Sequence, residues 1–355
     1  MIKYLNLLII AGLFVFSGCD NVNNGGSPTP PPEPTETLIR FQHIALDIMD
    51  TVVHIIGYDH SEESFNEKLE VMHNEFMMLY DLFTIFHPVE GINNLYTVNA
   101  QAGIAPVAVD PLIIEMLQYG ISAYHYTNGA FNITLGPVLR IWHEQRLSEN
   151  PVVPYLGDLI DADMLSNIED LIIDEEAGTV FLAAEGMSLD VGGLAKGFAV
   201  EHVAQLGYSL GLSSILVSAG GDTRMMDGPP ETGTWGNGVQ NPQTPGDMTN
   251  LIDVLRVANM AVVTSGTYQR FFEADGVRYH HIIDPLTLMP SNLYDSITVL
   301  HDNTIKAEIL STALLIKSIS QGTALLEQLG GHALWVLPDG TVYVSEGYRE
   351  FSDNF

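Results

Sequence analysis

The chain has 355 residues, 46% of them hydrophobic, with 44 acidic against 13 basic side chains and a formal net charge of −31. That length and apolar content suffice to bury a full core in one large domain or two smaller ones, and they exclude an intrinsically disordered chain. The acidic excess repels phosphate backbones and anionic headgroups, so nucleic-acid binding is disfavoured, and an anionic substrate needs local compensation by a metal or by the few basic groups.

At the N-terminus, Lys3 precedes the apolar run Leu7 to Phe16, and Ser17-Gly18-Cys19 follows. Residues 1–18 therefore read as a bacterial lipoprotein signal, with Cys19, the single cysteine, becoming the lipidated N-terminus; an uncleaved N-terminal anchor is the other reading. Either way the bulk of the chain is expected outside the cytoplasm, held to a membrane by this end. A lone cysteine also excludes an intrachain disulfide. Residues 19–37, with NNGG followed by SPTPPPEPTE, are polar and proline-rich and read as a solvated tether. The folded part is expected over 38–355, with no later run long and uncharged enough to span a bilayer.

Ile39 to Ile56 alternates and is β-branched, which predicts a pair of strands. Ser64-Phe-Asn-Glu67 has the spacing of a capping box, and Phe65, Leu69, Met72, Phe76, Leu79 and Phe83 recur at helical spacing as core residues. Asp110-Pro111 opens a second helix, and Asn128-Gly129 closes it. After an irregular stretch around 148–157, short strands are expected at Leu171 to Ile173, Val180 to Ala183, Ile215 to Val217, Leu251 to Val257 and His280 to Ile283. A further helix, capped by Asn303 or Thr304, is predicted through Ile319, and Leu334 to Val344 reads as a hairpin turning at Pro338-Asp339-Gly340. Antiparallel strands with segregated helices imply an α+β domain of mixed, largely antiparallel sheets with flanking helices.

The stretch SLDVGGLAKGFAVEHV at 188–203 places Gly192, Gly193, Lys196 and Gly197 between an extended run and a helix from Leu194 to Val203. It reads either as an anion cradle of backbone amides or as a tight strand-to-helix turn without a ligand. Its spacing does not match GxxxxGK[ST], so a P-loop is disfavoured. Glu308 and Thr312 stand one helical turn apart, so both can offer oxygens on one face. Along His280-His281-Ile282-Ile283-Asp284, alternation sends the two histidines to opposite faces.

Together with GAFNITLGPVLRIW at 129–142, SAGGDTR at 218–224, TSGTYQRFFEADGVRYHHIIDPLT at 264–287 and KAEILST at 306–312, these segments resemble, in order, the ApbE family of FAD:protein FMN transferases, from about residue 40 to the C-terminus. The resemblance implies a single catalytic domain of ApbE-like, T-fold-related architecture. It also implies magnesium-dependent transfer of the FMN half of FAD to a threonine of an acceptor redox protein, with AMP as leaving group; manganese would serve the same donors. Hydrolysis of FAD to FMN and AMP on the same scaffold, and flavin binding without chemistry, are the competing readings.

By resemblance, Asp190 and Lys196 meet the nucleotide, while the Gly193 carbonyl, Glu308 and Thr312 hold the metal. Glu308 stands where the family usually carries Asp. His281 is the base for the threonine hydroxyl, and Asp284 lies near it and the metal. Met49, Ala130, Phe131, Asn132 and Ile282 complete the nucleotide contacts. Asp50 and Thr267 replace a glycine and an aspartate common in the family. Phe131, Trp142 and Trp235 also read as ordinary core aromatics.

Overall fold

Eight extended segments with alternating apolar residues join into one antiparallel sheet whose strands lie side by side in chain order. They are β1 (Ile39–Ile48), β2 (Thr51–Asp59), β3 (Ser213–Ala219), β4 (Asp222–Met226), β5 (Met260–Gly266), β6 (Ser296–His301), β7 (His332–Val336) and β8 (Val342–Val344). This computed structural model describes residues 37–49, 51–247 and 249–355. Cys19, the signal segment, the tether up to residue 36 and Asp50 lie outside the described residues. Contacts cluster within Leu38–Phe355 as one unit.

Because successive strand side chains point to opposite faces, the sheet divides its apolar residues between two cores. Val53, Ile55, Ile215, Val217, Ala261, Val263, Ile297 and Val299 bury into the helical side. That side holds α1 (Glu62–Phe83), α2 (Leu95–Ala100), α3 (Pro111–Tyr126), α6 (Ala195–Ser209), α7 (Thr304–Leu314) and α8 (Ile319–Leu329). Ile56, Leu216, Val262, Leu300 and Leu334 face the other way, against Trp235, Val239, Leu255 and Val257 of the hairpin Trp235–Gln240/Leu251–Val257. Between α3 and α6 run α4 (Gly136–Leu147) and α5 (Leu156–Asp163), which form their own apolar cluster with Phe272, Ile283 and Leu288. This arrangement is the expected α+β class, with the helices segregated to one face.

Several boundaries differ from the sequence reading. The first helix starts at Glu62 with Ser61 as its N-cap, accepting from Ser64 N at 3.2 Å; Ser64 and Glu67 already lie inside. Glu62 and Glu63 suit the first turn, since acidic side chains complement the positive helix end, and they move the start one turn upstream. The helix at 304 stops at Leu314 because Ser318 and Gln321 make a capping box that begins α8. The run His280 to Ile283 is broken. One strand ends at His280, whose Nδ1 accepts from Ile282 N at 3.1 Å, and a separate two-residue strand, Ile283–Asp284, pairs with Met289–Pro290.

One contact sets the spacing of α6 and α7. A Cβ on Gly197 would lie 2.8 Å from both Glu308 Oε2 and Thr304 O. Alanine normally improves a helix interior by about 1 kcal/mol over glycine. Here the sign reverses: Gly197→Ala forces the helices apart and is expected to lower stability by about 1–3 kcal/mol, read from the urea midpoint.

Candidate active site

The N-terminal turn of α6 meets α7 through a buried ionic cluster. Lys196 Nζ donates to Glu308 Oε1, Gly197 N donates to Glu308 Oε2 at 2.7 Å, and Asp222 Oδ2 of β4 lies 3.0 Å from Nζ. Glu308 is 2% exposed and Asp222 4%. Burial pushes the Glu308 carboxyl up to about 8, with the Lys196 charge opposing and the Asp222 charge adding to the rise. Burial alone would depress the Lys196 ammonium, but Asp222 and Glu308 together outweigh it and hold it above its ordinary value. Two carboxyl groups thus share a single ammonium at this pole.

Behind this cluster a second network fixes α7 in place. Glu201, one turn further along α6, accepts from Thr304 N at 2.7 Å and Thr304 Oγ1 at 2.8 Å, so it satisfies an otherwise orphaned amide at the start of α7. Arg224 of β4 sits 3.3 Å from the same carboxylate. Thr312 follows Glu308 by one turn, and its Oγ1 would lie 3.2 Å from a Cβ on Gly193. The absent side chain at 193 is what lets this loop approach the α7 hydroxyl.

Gly193, Lys196, Asp222, Glu308 and Thr312 line one part of a cleft of about 680 Å³, within the size range of small-molecule sites. Its wall contains Met49, Ala130, Phe131, Asn132, Asp190, Gly193, Lys196, His281, Ile282, Glu308 and Thr312, residues drawn from segments far apart in sequence. Met49 has φ of +53°, a left-handed conformation unusual for a non-glycine residue, in the turn between β1 and β2. The Asn132 amide is used internally, accepting from Thr134 N at 2.9 Å and donating to Ser166 O at 2.9 Å, so it shapes the loop under Phe131. Asp190 Oδ1 accepts from Gly192 N at 2.9 Å, which closes the turn before α6. Burial raises its carboxyl, opposed by that amide and by the positive charges of Arg146 and Arg270.

The two neighbouring histidines separate as alternation requires. His280 is buried and bonded to Ser291 O, whereas His281 lines the cleft with Nδ1 3.3 Å from Arg270 O. Burial, followed by the positive charge of Arg270, lowers His281 to about 3, so the ring is neutral at physiological pH.

Asp284 is not brought to the wall, although Ile283 and Pro285 are. Its Oδ1 accepts from Leu286 N at 2.9 Å and its carbonyl from Leu288 N at 2.7 Å, so this carboxylate closes its own turn. Thr267 also lies off the cleft, buried with its hydroxyl 3.2 Å from Asp295 O; a neutral donor suits that place better than a charge. Trp142 donates to Leu288 O at 3.0 Å and stacks on Tyr279, while Trp235 packs in the opposite core, both as core aromatics.

The donors at the α6–α7 end are chemically suited to a hard divalent cation. They are oxygens only, and Asp222 Oδ2 is a buried carboxylate oxygen that accepts no directed hydrogen bond. Among the described residues no group of three or more His, Cys, Asp or Glu side chains gathers to hold a metal. Hard cations take oxygen sets that include one or two carboxylates and complete their shell with water or substrate oxygens. Asp222 was visible in SAGGDTR without a role. Arg146 and His143 lie on a helix without a side-chain cap, and no local pattern in the sequence marks them.

A family model described as ApbE family matches residues 49–335. A Treponema pallidum protein named FAD:protein FMN transferase is 33% identical over 293 residues, covering 76% of this chain and 79% of that protein. A Klebsiella pneumoniae protein of the same name is 32% identical over 232 residues, covering 65% and 70%. Among solved structures, the ApbE protein of Thermotoga maritima superposes with a TM-score of 0.77 at 28% identity, over 89% of this chain and 99% of that one.

Proposed function

This chain belongs to the ApbE family, and we propose that it transfers the FMN half of FAD to a threonine hydroxyl of an acceptor redox protein, releasing AMP. The observation that carries this reading is the meeting of Lys196, Glu308, Thr312 and His281 in one cleft, in a chain similar to proteins named for that reaction. Phosphoryl-type transfer asks the protein mainly for positioning and charge compensation. Glu308, Thr312 and the Gly193 carbonyl are the residues that would hold magnesium. When bound there, the ion supplies Lewis-acid polarisation of the diphosphate oxygens.

The remaining work falls to the side chains. Lys196 adds fixed positive charge at the diphosphate end. Asp190 and the turn it closes orient the nucleotide. With Nδ1–H of His281 donated to Arg270 O, Nε2 is left with its lone pair to take the threonine proton. Asp284 Oδ1 is engaged by its own turn through Leu286 N, and this reading gives it no second metal of the kind that would favour hydrolysis of FAD. We also read Cys19 as the lipidated anchor and 19–37 as the tether that carries the catalytic domain on the outer side of a membrane.

The test is direct. Incubation of the protein with FAD, magnesium and an acceptor domain is expected to add the mass of FMN to the acceptor and render it fluorescent, and omission of magnesium should stop it. An acceptor of unchanged mass would overturn the transferase reading, and FMN release with FAD alone would favour hydrolysis. In cells, the same activity should partition into membranes and become soluble in Cys19→Ser.

A further inference from the structure

The cations of the cleft fall into two groups. Lys196 is committed to Asp222 and Glu308. Arg146 of α4 and Arg270, just after β5, line the same cleft but enter no ion pair: the pairs made by lysine and arginine among the described residues engage Lys68, Lys196, Arg224, Arg256 and Arg278. Arg146 Nη2 lies 2.7 Å from His143 Nδ1, one turn earlier on α4; because a guanidinium only donates, that imidazole is the acceptor and carries no charge. Arg270, an exposed residue, accepts from His281 N at 3.1 Å through its carbonyl, and its guanidinium makes no ion pair among the described residues. Asp190 attracts both guanidiniums from beyond ion-pair distance. In a chain with 44 acidic and 13 basic residues, two guanidiniums lining one cleft without a paired carboxylate call for an anion from outside.

We propose that Arg146 and Arg270 form a phosphate subsite, apart from the Lys196–Glu308 pole, that takes the dianionic phosphomonoester of a nucleotide. A planar guanidinium matches phosphate oxygens in bidentate fashion, and two monocations match a monoester, which carries close to two negative charges at pH 7, better than one phosphate of a diphosphate diester. The transfer reaction, on which the choice of nucleotide rests, produces that group. The threonine oxygen attacks the FMN-side phosphorus, and its proton passes to the base. The bond from that phosphorus to the bridging oxygen breaks, and the bridging oxygen leaves with the electron pair on AMP, whose phosphate thereby gains a charge. Free FMN offers the same chemistry.

Equilibrium titration of the full chain with AMP, adenosine, FMN and riboflavin, without metal, tests the subsite. At least one nucleotide is expected to bind roughly tenfold or more tightly than its dephosphorylated partner, with the gap narrowing as salt is added. An AMP gap identifies the leaving nucleotide as the ligand, an FMN gap the transferred half. Arg146→Met should close the gap and Arg146→Lys should reduce it, whereas Arg140→Met, exposed on the same helix outside the cleft, should leave it. Absence of a gap in both pairs, or a gap unchanged in the Arg146→Lys protein, overturns the subsite, and the lysine variant decides the matter if the methionine variant does not fold. FMN transfer measured in parallel separates the two readings. Transfer without a phosphate-dependent gap removes the subsite alone, while a gap without transfer removes the transferase reading and keeps the subsite.

Discussion

Glu308→Ala is expected to reduce FMN transfer by about a hundredfold or more and to destabilise the fold at the same time. Both effects come from one carboxylate. Its removal leaves Lys196 with Asp222 and the Gly192 carbonyl as partners and Gly197 N without an acceptor. Because Lys196 is 24% exposed and keeps Asp222, the cost stays below that of an uncompensated buried charge, at about 1–3 kcal/mol, and much of it comes from the unpaired Gly197 N. The two losses are separable with Glu308→Gln, which keeps the shape and an acceptor for Gly197 N but not the anion. That variant should retain more of the urea midpoint, yet need far more magnesium for activity. Glu308→Asp should recover part of the metal response while shortening the reach to Gly197. A fully active Glu308→Gln protein would take this residue out of the metal-binding set.

His281→Ala should lower the rate of transfer by about 10²–10⁴-fold while leaving FAD affinity within about twofold, since the ring is assigned to the hydroxyl nucleophile and not to holding the dinucleotide. The pH dependence has a definite sign. The imidazole is held down to about 3 by burial and then by Arg270, so in the free enzyme it stays a neutral base as pH falls through 6.5, and kcat/KM should show no acid limb near that value. An anionic substrate beside Arg270 and Arg146 offsets their repulsion and lets the ring recover its affinity for a proton. The acid limb of kcat should therefore lie at higher pH than that of kcat/KM. Coincident limbs, or an active alanine variant, would remove the base from position 281.

Much of the fold was legible because its signals are local. The α1 stripe, the Asp110-Pro111 cap and the Asn303 cap all encode their helices in neighbouring residues, and the structure places α1, α3 and α7 there. The helix α4 is less legible: its N-cap, Leu135, makes no side-chain capping bond, which leaves Pro137 in the first turn as the local mark of where GPVLRIWHEQRL begins to coil. With it went His143 and Arg146, which have no meaning until α4 is laid along the cleft. Asp284 reads as chemical by resemblance, while its Oδ1 also answers a local backbone need in the Pro285-Leu286 turn that the sequence does not announce. The reach of Glu308 was ambiguous on the page as well. Its extra methylene over aspartate becomes intelligible only beside Gly197, whose bare backbone receives the carboxylate.

The strands run across the sheet in chain order, yet between β2 and β3 the chain makes its longest excursion, through α1 to α6, before Val53 finds Ala219. A nascent chain therefore completes the β1–β2 hairpin long before its partner strand has been synthesised. Closing so large a loop is entropically costly, and non-local pairings of this kind form late. Until then the hairpin exposes on one side Val53 and Ile55, destined for the interior, and on the other Ile44, Leu46 and Val52, which stay exposed in the finished fold. The earliest-made part of the domain is thus among the last to be sheltered, and sequestering that ribbon is the task any chaperone of this protein inherits.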